Sequence, residues 1–386
     1  MKHRTLALLA LAIPFVPCAT AQTPSPAAAA QLENEGRLPE AEQAWRAIIA
    51  AHPREAGVYA SLGVVLSKEA KYQDAAAAYR RALAFDPGLP GIELNLGLAE
   101  FKQGHFKQAV GPLTAALKAD PASVQAKTLL AMAHYGASQY LQAIPYLRSV
   151  VSADPQNQEL RWVLAQSCLY TKDYKCALEQ FQQITKANPD SAQAHMLAGE
   201  ALDADRRTGE AVTEFQAAEK IAPAEPNVHF GLGYLQWEQH NDQDASQEFA
   251  KELANDPKHA QAMTYLADCD LQQGKRDDAV PLLNKAIQIE PTIALAHIDL
   301  GTIEADSGHR DDALRELTTA AKLTPNDVNV HWRLGRLYRA MGNQAQATAE
   351  FNKAKNLTQA ADDTLMKKLT APTLKDQGPP SFPAGK

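Results

Sequence analysis

Four histidines, His195, His229, His297 and His331, recur at intervals of 34, 68 and 34 residues. Imidazoles at a fixed period raise the chemistry of a metal ladder, because neutral imidazole is a common zinc ligand. Helices in a stacked array, however, lie on the order of 10 Å apart, too far to share Zn–N bonds of about 2.1 Å. At the same register stand Tyr59 and Met263, so the position reads as one that packs a large side chain against a partner helix. No metal site is assigned. Glu200 and Asp203 stand three residues apart, close enough to meet on one helix face, and paired carboxylates can do acid–base work. Solvated charge is the more economical reading. With no phosphate-binding or dinucleotide glycine loop, no G-x-S-x-G elbow and no H-E-x-x-H helix, no catalytic residue and no cofactor is assigned. Cys168 and Cys176 face each other across a turn, either as a disulfide or as two reduced core thiols, and Cys269 reads as a small buried hydrophobe.

The elements that carry these residues are periodic. Proline occurs at 53, 87, 121, 155, 189, 223, 257, 291 and 325, each interval being 34 residues. The residue before proline is pushed out of the helical region, so each site ends one helix before the next begins. Twelve residues before every site stands alanine, from Ala41 through Ala75 and Ala109 to Ala347 in a tenth unit whose site is Gln359. Eight before it stands a large apolar residue, such as Trp45, Tyr79, Phe215 or Phe351, and twenty-four before it, from the second unit on, Gly or Ala. Two helices of about 12–14 residues per unit follow, joined by a short turn. The small residues let the backbones approach, and the large ones are expected to fill the gap to the next unit. One hairpin cannot bury its apolar face alone, so stability comes from stacking.

These residues resemble the tetratricopeptide repeat family: the 34-residue period, the small residues at the helix crossing, the aromatic of the second helix and the closing proline. The resemblance covers ten units, 22–361, and implies an all-α fold, an α-solenoid wound as one continuous right-handed superhelix. The first unit lacks the Leu-Gly pair and reads as a cap. Residues 362–386 read as the remnant of a capping helix followed by a frayed tail.

In this family the first helices line a concave groove that binds extended peptides or helices. Carried over, the groove positions lie 27, 23 and 20 residues before each site. They place Phe101, Met132, Tyr135, Trp162, Phe230, Tyr234, Trp237 and Trp332 on one face as anchors, with padding of the superhelix as the alternative role. The same face carries Glu200, Asp203 and Asp268 in its middle and Arg336 and Arg339 at its C-terminal end. The Lys and Asn clamp by which chaperone-binding members hold a C-terminal carboxylate is replaced by Ala60/Val64, Leu94/Leu98 and Thr128/Met132. The resemblance therefore implies a non-enzymatic scaffold with a protein or peptide partner. The alternatives are the recognition arm of an enzyme complex, or a weak enzyme using the groove acids. Self-association through end units is open.

The N-terminus, "MKHRTLALLALAIPFVPCATAQ", has a basic start, a short apolar run broken by Pro14 and Pro17, and a small-x-small motif. It reads as a secretory signal cleaved between Ala21 and Gln22, which puts the mature protein in the periplasm or outside the cell. Cys18 follows Pro17, a poor lipidation context. No later stretch is apolar enough to span a bilayer. The formal charge of −7 argues against a sequence-independent nucleic-acid binder, whose affinity rests on Lys and Arg.

Overall fold

Helix follows helix throughout the computed structural model, which describes residues 23–370. The leader with its Ala21/Gln22 cleavage site, Cys18, and the tail 371–386 lie outside the described residues. Among those described there are 20 helices in tandem and no strand. They pair as α1 (Pro26–Asn34) with α2 (Leu38–Ala51), α3 (Ala56–Lys68) with α4 (Tyr72–Phe85), and α5 (Ile92–Lys102) with α6 (Phe106–Ala119). Next come α7 (Val124–Gly136) with α8 (Tyr140–Ala153), α9 (Gln158–Tyr170) with α10 (Tyr174–Ala187), and α11 (Ala192–Ala204) with α12 (Thr208–Ile221). The series closes with α13 (Val228–Glu238) and α14 (Asp242–Asn255), α15 (Ala260–Gln272) and α16 (Arg276–Ile289), α17 (Ala294–Asp306) and α18 (Arg310–Leu323), and α19 (Val328–Ala340) and α20 (Gln344–Thr370). This is the α-solenoid architecture. Contacts group the helices into two compact units divided between Gln180 and Phe181. At the C-terminus the expected cap, "QAADDTLMKKLT", is no separate element: α20 runs through it without a break.

The recurrent alanine of the second helix is buried in all ten hairpins, with at most 2% of its surface exposed. The large residue four positions on packs in two directions: it meets the next unit, as Phe249 does at 5.7 Å from Tyr265, and it also closes its own hairpin. It lies over the small crossing residue of its own hairpin. A Cβ added to Gly63 would fall 2.5 Å from the Tyr79 ring, one at Gly233 2.8 Å from Phe249, and one at Gly335 2.5 Å from Phe351. Only Gly or Ala can stand there because the ring occupies the space a larger side chain needs. Phe215 adds a contact outward, its ring also covering Gly231 of the following unit. Ala29 fills the crossing position of the first hairpin, wholly buried.

Each hairpin turn contains one residue of left-handed backbone, seventeen before the proline site. Glycine holds it in five turns, while Ala70, Ser138, Lys172, Arg206 and His240 hold it elsewhere, at φ 58–62°. A side chain there costs roughly 1–2 kcal/mol, which hairpin packing must offset.

The periodic histidines are staples. His195, His229, His297 and His331 bring Nδ1 to within 2.6–2.8 Å of Glu214, Glu248, Glu316 and Glu350 on the second helix of the same unit. In three of them Nε2 donates to the carbonyl of Pro189, Pro291 or Pro325, closing the loop that enters the hairpin. Arg161 does the same work, donating to Gln180 and to the Pro155 carbonyl. Where Met263 takes the position, Leu282 replaces the glutamate and the pair packs in one apolar cluster. These bonds join the two helices of a hairpin, so packing alone understates the role.

Cys168, late in α9, and Cys176, early in α10, are joined in a disulfide with Cα atoms 5.8 Å apart. Cys269 is buried and free, its thiol pushed up to about 12 by desolvation.

Two outcomes follow from this packing. Gly63→Ala, forced against the buried Tyr79 ring, should cost about 1–3 kcal/mol. Gly57→Ala in the same helix meets nothing within 4 Å and should gain about 0.5 kcal/mol; urea denaturation midpoints of the two variants check the sign of each. Reduction of Cys168–Cys176, or Cys176→Ser, should lower stability by about 2–3 kcal/mol, as opening a short loop does; thermal melts with and without reductant measure it.

Candidate functional site

First helices of successive hairpins touch one another: α3, α5 and α7 in the N-terminal unit, and α11, α13, α15, α17 and α19 in the C-terminal one. Residues of one stripe on each helix therefore come side by side, and within each unit the expected groove positions can be followed.

In the N-terminal unit the aromatics are largely used in packing. Phe101 meets Phe106 edge-on at 5.3 Å between ring centroids, and Tyr135 meets Tyr140 at 5.6 Å. The Tyr135 hydroxyl donates to Gln166 at 2.6 Å. Met132 and Trp162 are half-buried. Phe101 and Tyr135 are half-buried, each with an aromatic from fifteen residues before the proline site, at the start of the second helix, against one side.

The C-terminal unit concentrates its aromatics around α13, whose start is built unlike most of the others. Pro226 and a left-handed Asn227 delay the helix, and Asn227 offers no side-chain cap. Glu252 replaces the cap from α14. Its fully buried carboxylate accepts the backbone N–H of Asn227 at 3.0 Å and of Phe230 at 3.1 Å. A carboxylate at a helix N-terminus satisfies orphan donors and meets the positive end of the helix dipole.

Phe230 is seated in this way, and Tyr234 and Trp237 follow on the next two turns. All three pack against Tyr265 of α15, at centroid separations of 5.8, 5.5 and 4.8 Å. Phe230 also stacks on His259 at 4.9 Å. The three remain half-buried, so one side of the cluster stays open. A recess of about 390 Å³ lies on one flank of Phe230 and Tyr234, walled by Glu200, Asp203 and Leu235. On the other flank a second, of about 320 Å³, is walled by Tyr265, Gln261 and Leu295.

The acids of the recess are held at a cost. Glu200 reaches solvent, yet the protein around it raises its pKa by desolvation. Asp203 is raised by desolvation and then by Glu238. Desolvation also raises Tyr234, whose hydroxyl donates to Glu238 at 3.0 Å. Glu200 and Asp203 share the wall of this recess, and the charge acting on Asp203 is that of Glu238. Asp268 is likewise no free groove charge. It is buried, and its carboxylate accepts the Trp237 indole N–H at 2.6 Å. At the C-terminal end Trp332 is 46% exposed and lies 4.9 Å from Phe351, over which Arg339 also sits at 5.6 Å. Arg336 and Arg339 are exposed.

Among the described residues, Glu219, His229 and Glu248 bring possible metal-ligand atoms within 4.8 Å of one another. Lys251 already bridges the two carboxylates, at 3.2 and 2.8 Å, so the group is built as an ion-pair network. Tyr265 and Glu252 were missed in the sequence. Tyr265 lies one residue outside the stripe, twenty-six before its site. Glu252 did leave a signal, as the single polar residue in a column otherwise filled by Ile48, Ala82, Ala116, Val150, Ile184, Ala218, Ala286, Ala320 and Ala354.

Tandem helical hairpins with an aromatic, charged stripe on their first helices define a repeat protein of the interaction class. The chain belongs to the tetratricopeptide repeat family: a model described as tetratricopeptide repeat matches residues 26–90, 94–158, 230–292 and 298–363, and a second of that description matches 134–201. Proteins of this family are generally interaction scaffolds. No protein of curated function matches the chain in sequence. Among solved structures, it is similar to YrrB, described as a TPR protein with an unusual peptide-binding site (18% identity, 50% of this chain, 100% of that one, TM-score 0.39). It is also similar to PilW, described as a type IV pilus biogenesis factor (20%, 50% and 90%, TM-score 0.45). Naa15/Naa10 bound to HypK-THB matches over more of the chain (14%, 85% and 62%, TM-score 0.47).

Because the folded pKa of Glu200 lies above its unfolded value, its protonated form is favoured by folding, and that contribution is lost as pH rises through the folded pKa. Glu200→Gln should therefore be more stable than the native protein at pH 7.5, with the difference closing as pH falls through the raised folded pKa and gone below about 4.5. Urea midpoints of both proteins across that range test the sign.

Proposed function

We propose that this chain is an exported, non-catalytic scaffold that holds a protein or peptide segment along the first helices of its C-terminal unit, within an envelope or secretion assembly. The observation that carries the reading is the open flank of Phe230 and Tyr234 beside Glu200 and Asp203. Half-buried aromatics offer large contact area with little rotamer entropy to lose. Carboxylates kept partly desolvated beside them weaken the free fold, a cost that a complementary partner recovers on binding. The described residues contain no helix long and apolar enough to cross a membrane. Export rests on the leader sequence, and the Cys168–Cys176 disulfide suits an oxidising compartment. The acidic balance of the chain favours a protein over a nucleic acid.

The test is capture from an envelope extract by the purified protein, run beside a Tyr234→Ser, Trp332→Ser variant with unchanged helical circular dichroism. A partner held by the native protein and weakened at least about tenfold in the variant is the expected outcome. Equal retention by both moves binding to another face.

A further inference from the structure

Beyond the aromatic recess, the first helices of the C-terminal unit enclose a cavity of about 580 Å³ between α13, α15, α17 and α19. Its wall is acidic: Glu238, Asp242, Asp268, Asp299 and Asp327 stand against Arg333 and the side chain of His240. Asp299, on α17, decides what the cavity is for. It is 6% exposed, and its Oδ2 accepts no hydrogen bond from the protein. A buried carboxylate oxygen that accepts no hydrogen bond is destabilising, and native folds keep few such groups. Arg333 attracts the Asp299 charge, but its hydrogen bond runs from Nη1 to Thr302 at 2.7 Å, and that Asp299 oxygen stays without a donor. Asp268, which is bonded to Trp237, repels the Asp299 charge.

Resting on the scaffold reading above, we infer that this cavity receives a basic side chain, arginine or lysine, of the bound segment, with Asp299 as its counter-ion at the floor. Trp237, Leu295 and Ile298 supply apolar wall for the methylene stem, and the acids give the head its charge partner. A chelated metal suits the cavity less well, because among the described residues no three ligand atoms of this wall come within 4.8 Å of one another. Burial and the neighbouring Asp268 raise Asp299 well above the ordinary carboxylate range, against the opposing pull of Arg333. An incoming cation favours its ionised form, and Asp268, Glu238, Asp242, Asp327, His240 and Arg333 are the other charged or titratable groups facing the cavity.

The experiment selects from a displayed library of random, roughly 12-residue peptides on the native protein, then measures synthetic selected peptides by fluorescence anisotropy. Each is paired with a copy in which arginine is replaced by citrulline, or lysine by norleucine. Selected peptides should carry one basic residue at a fixed distance from an apolar anchor. Removing its charge should weaken native binding at least about tenfold and Asp299→Asn binding by less than about twofold. Gln272→Lys, which places an ammonium beside Asp268, should abolish the basic preference in the same way, so the result does not hang on one variant. Thermal midpoints confirm that both variants fold.

Peptides selected without a basic residue, or an undiminished charge effect in Asp299→Asn, overturn this inference and leave the scaffold reading standing. Failure of the native protein to select any peptide overturns both. Spermidine binding with the same Asp299 dependence, together with selected peptides that lack a cation, would make the occupant a free polyamine and overturn the segment.

Discussion

Everything else in this structure depends on one contact, that of a large second-helix residue with the small residue where the two helices of a hairpin cross. The ring of Tyr79 over Gly63, or of Phe249 over Gly233, brings two backbones closer than ordinary side chains permit. The recurrent alanine one turn earlier is buried for the same reason. Close packing at this point sets the angle of every hairpin, and repetition of one angle sets neighbouring first helices side by side. The remaining side chains of those helices are then free to differ.

Around that contact the hairpins are tied by polar bonds that vary in chemistry but not in geometry. Histidine with glutamate, arginine with glutamine and methionine with leucine occupy the same two columns and join the same elements. In these units the joint is kept while its chemistry changes, and both kinds are buried, His331 and Met263 each being 1% exposed. A buried histidine is acceptable here because the glutamate, and in three units the proline carbonyl, bonds it.

Departures from the repeat gather in one region. Glu252 breaks an apolar column to cap α13, Tyr265 adds the ring that gathers three others, and Asp299 leaves a buried carboxylate oxygen without a hydrogen bond beside a cavity. None of the three is needed to close a hairpin, since other units do without them. Positions where local consistency is given up are where a function is expected, and here they border the recesses of the C-terminal unit. In the N-terminal unit Phe101 and Tyr135 each meet one ring from the adjoining helix and are half-buried too.

The proline period, the alanine and crossing columns and the hairpin order were legible in the sequence by itself, because each arises from a local restriction that the residue type carries wherever it stands. Proline ends a helix, and glycine or alanine alone fits a crossing. The stripe that became Phe230, Tyr234 and Trp237 was legible too, since helical spacing places those residues on one face. The sequence could not say which way the stripe's side chains would be used. Whether Asp268 meets water or an indole, what the Tyr135 hydroxyl bonds, and which charges act on Asp299 depend on side chains about one repeat away on another helix. Those distances exist only after the hairpins stack, so burial and partnership of the same residue types were decided by the tertiary structure.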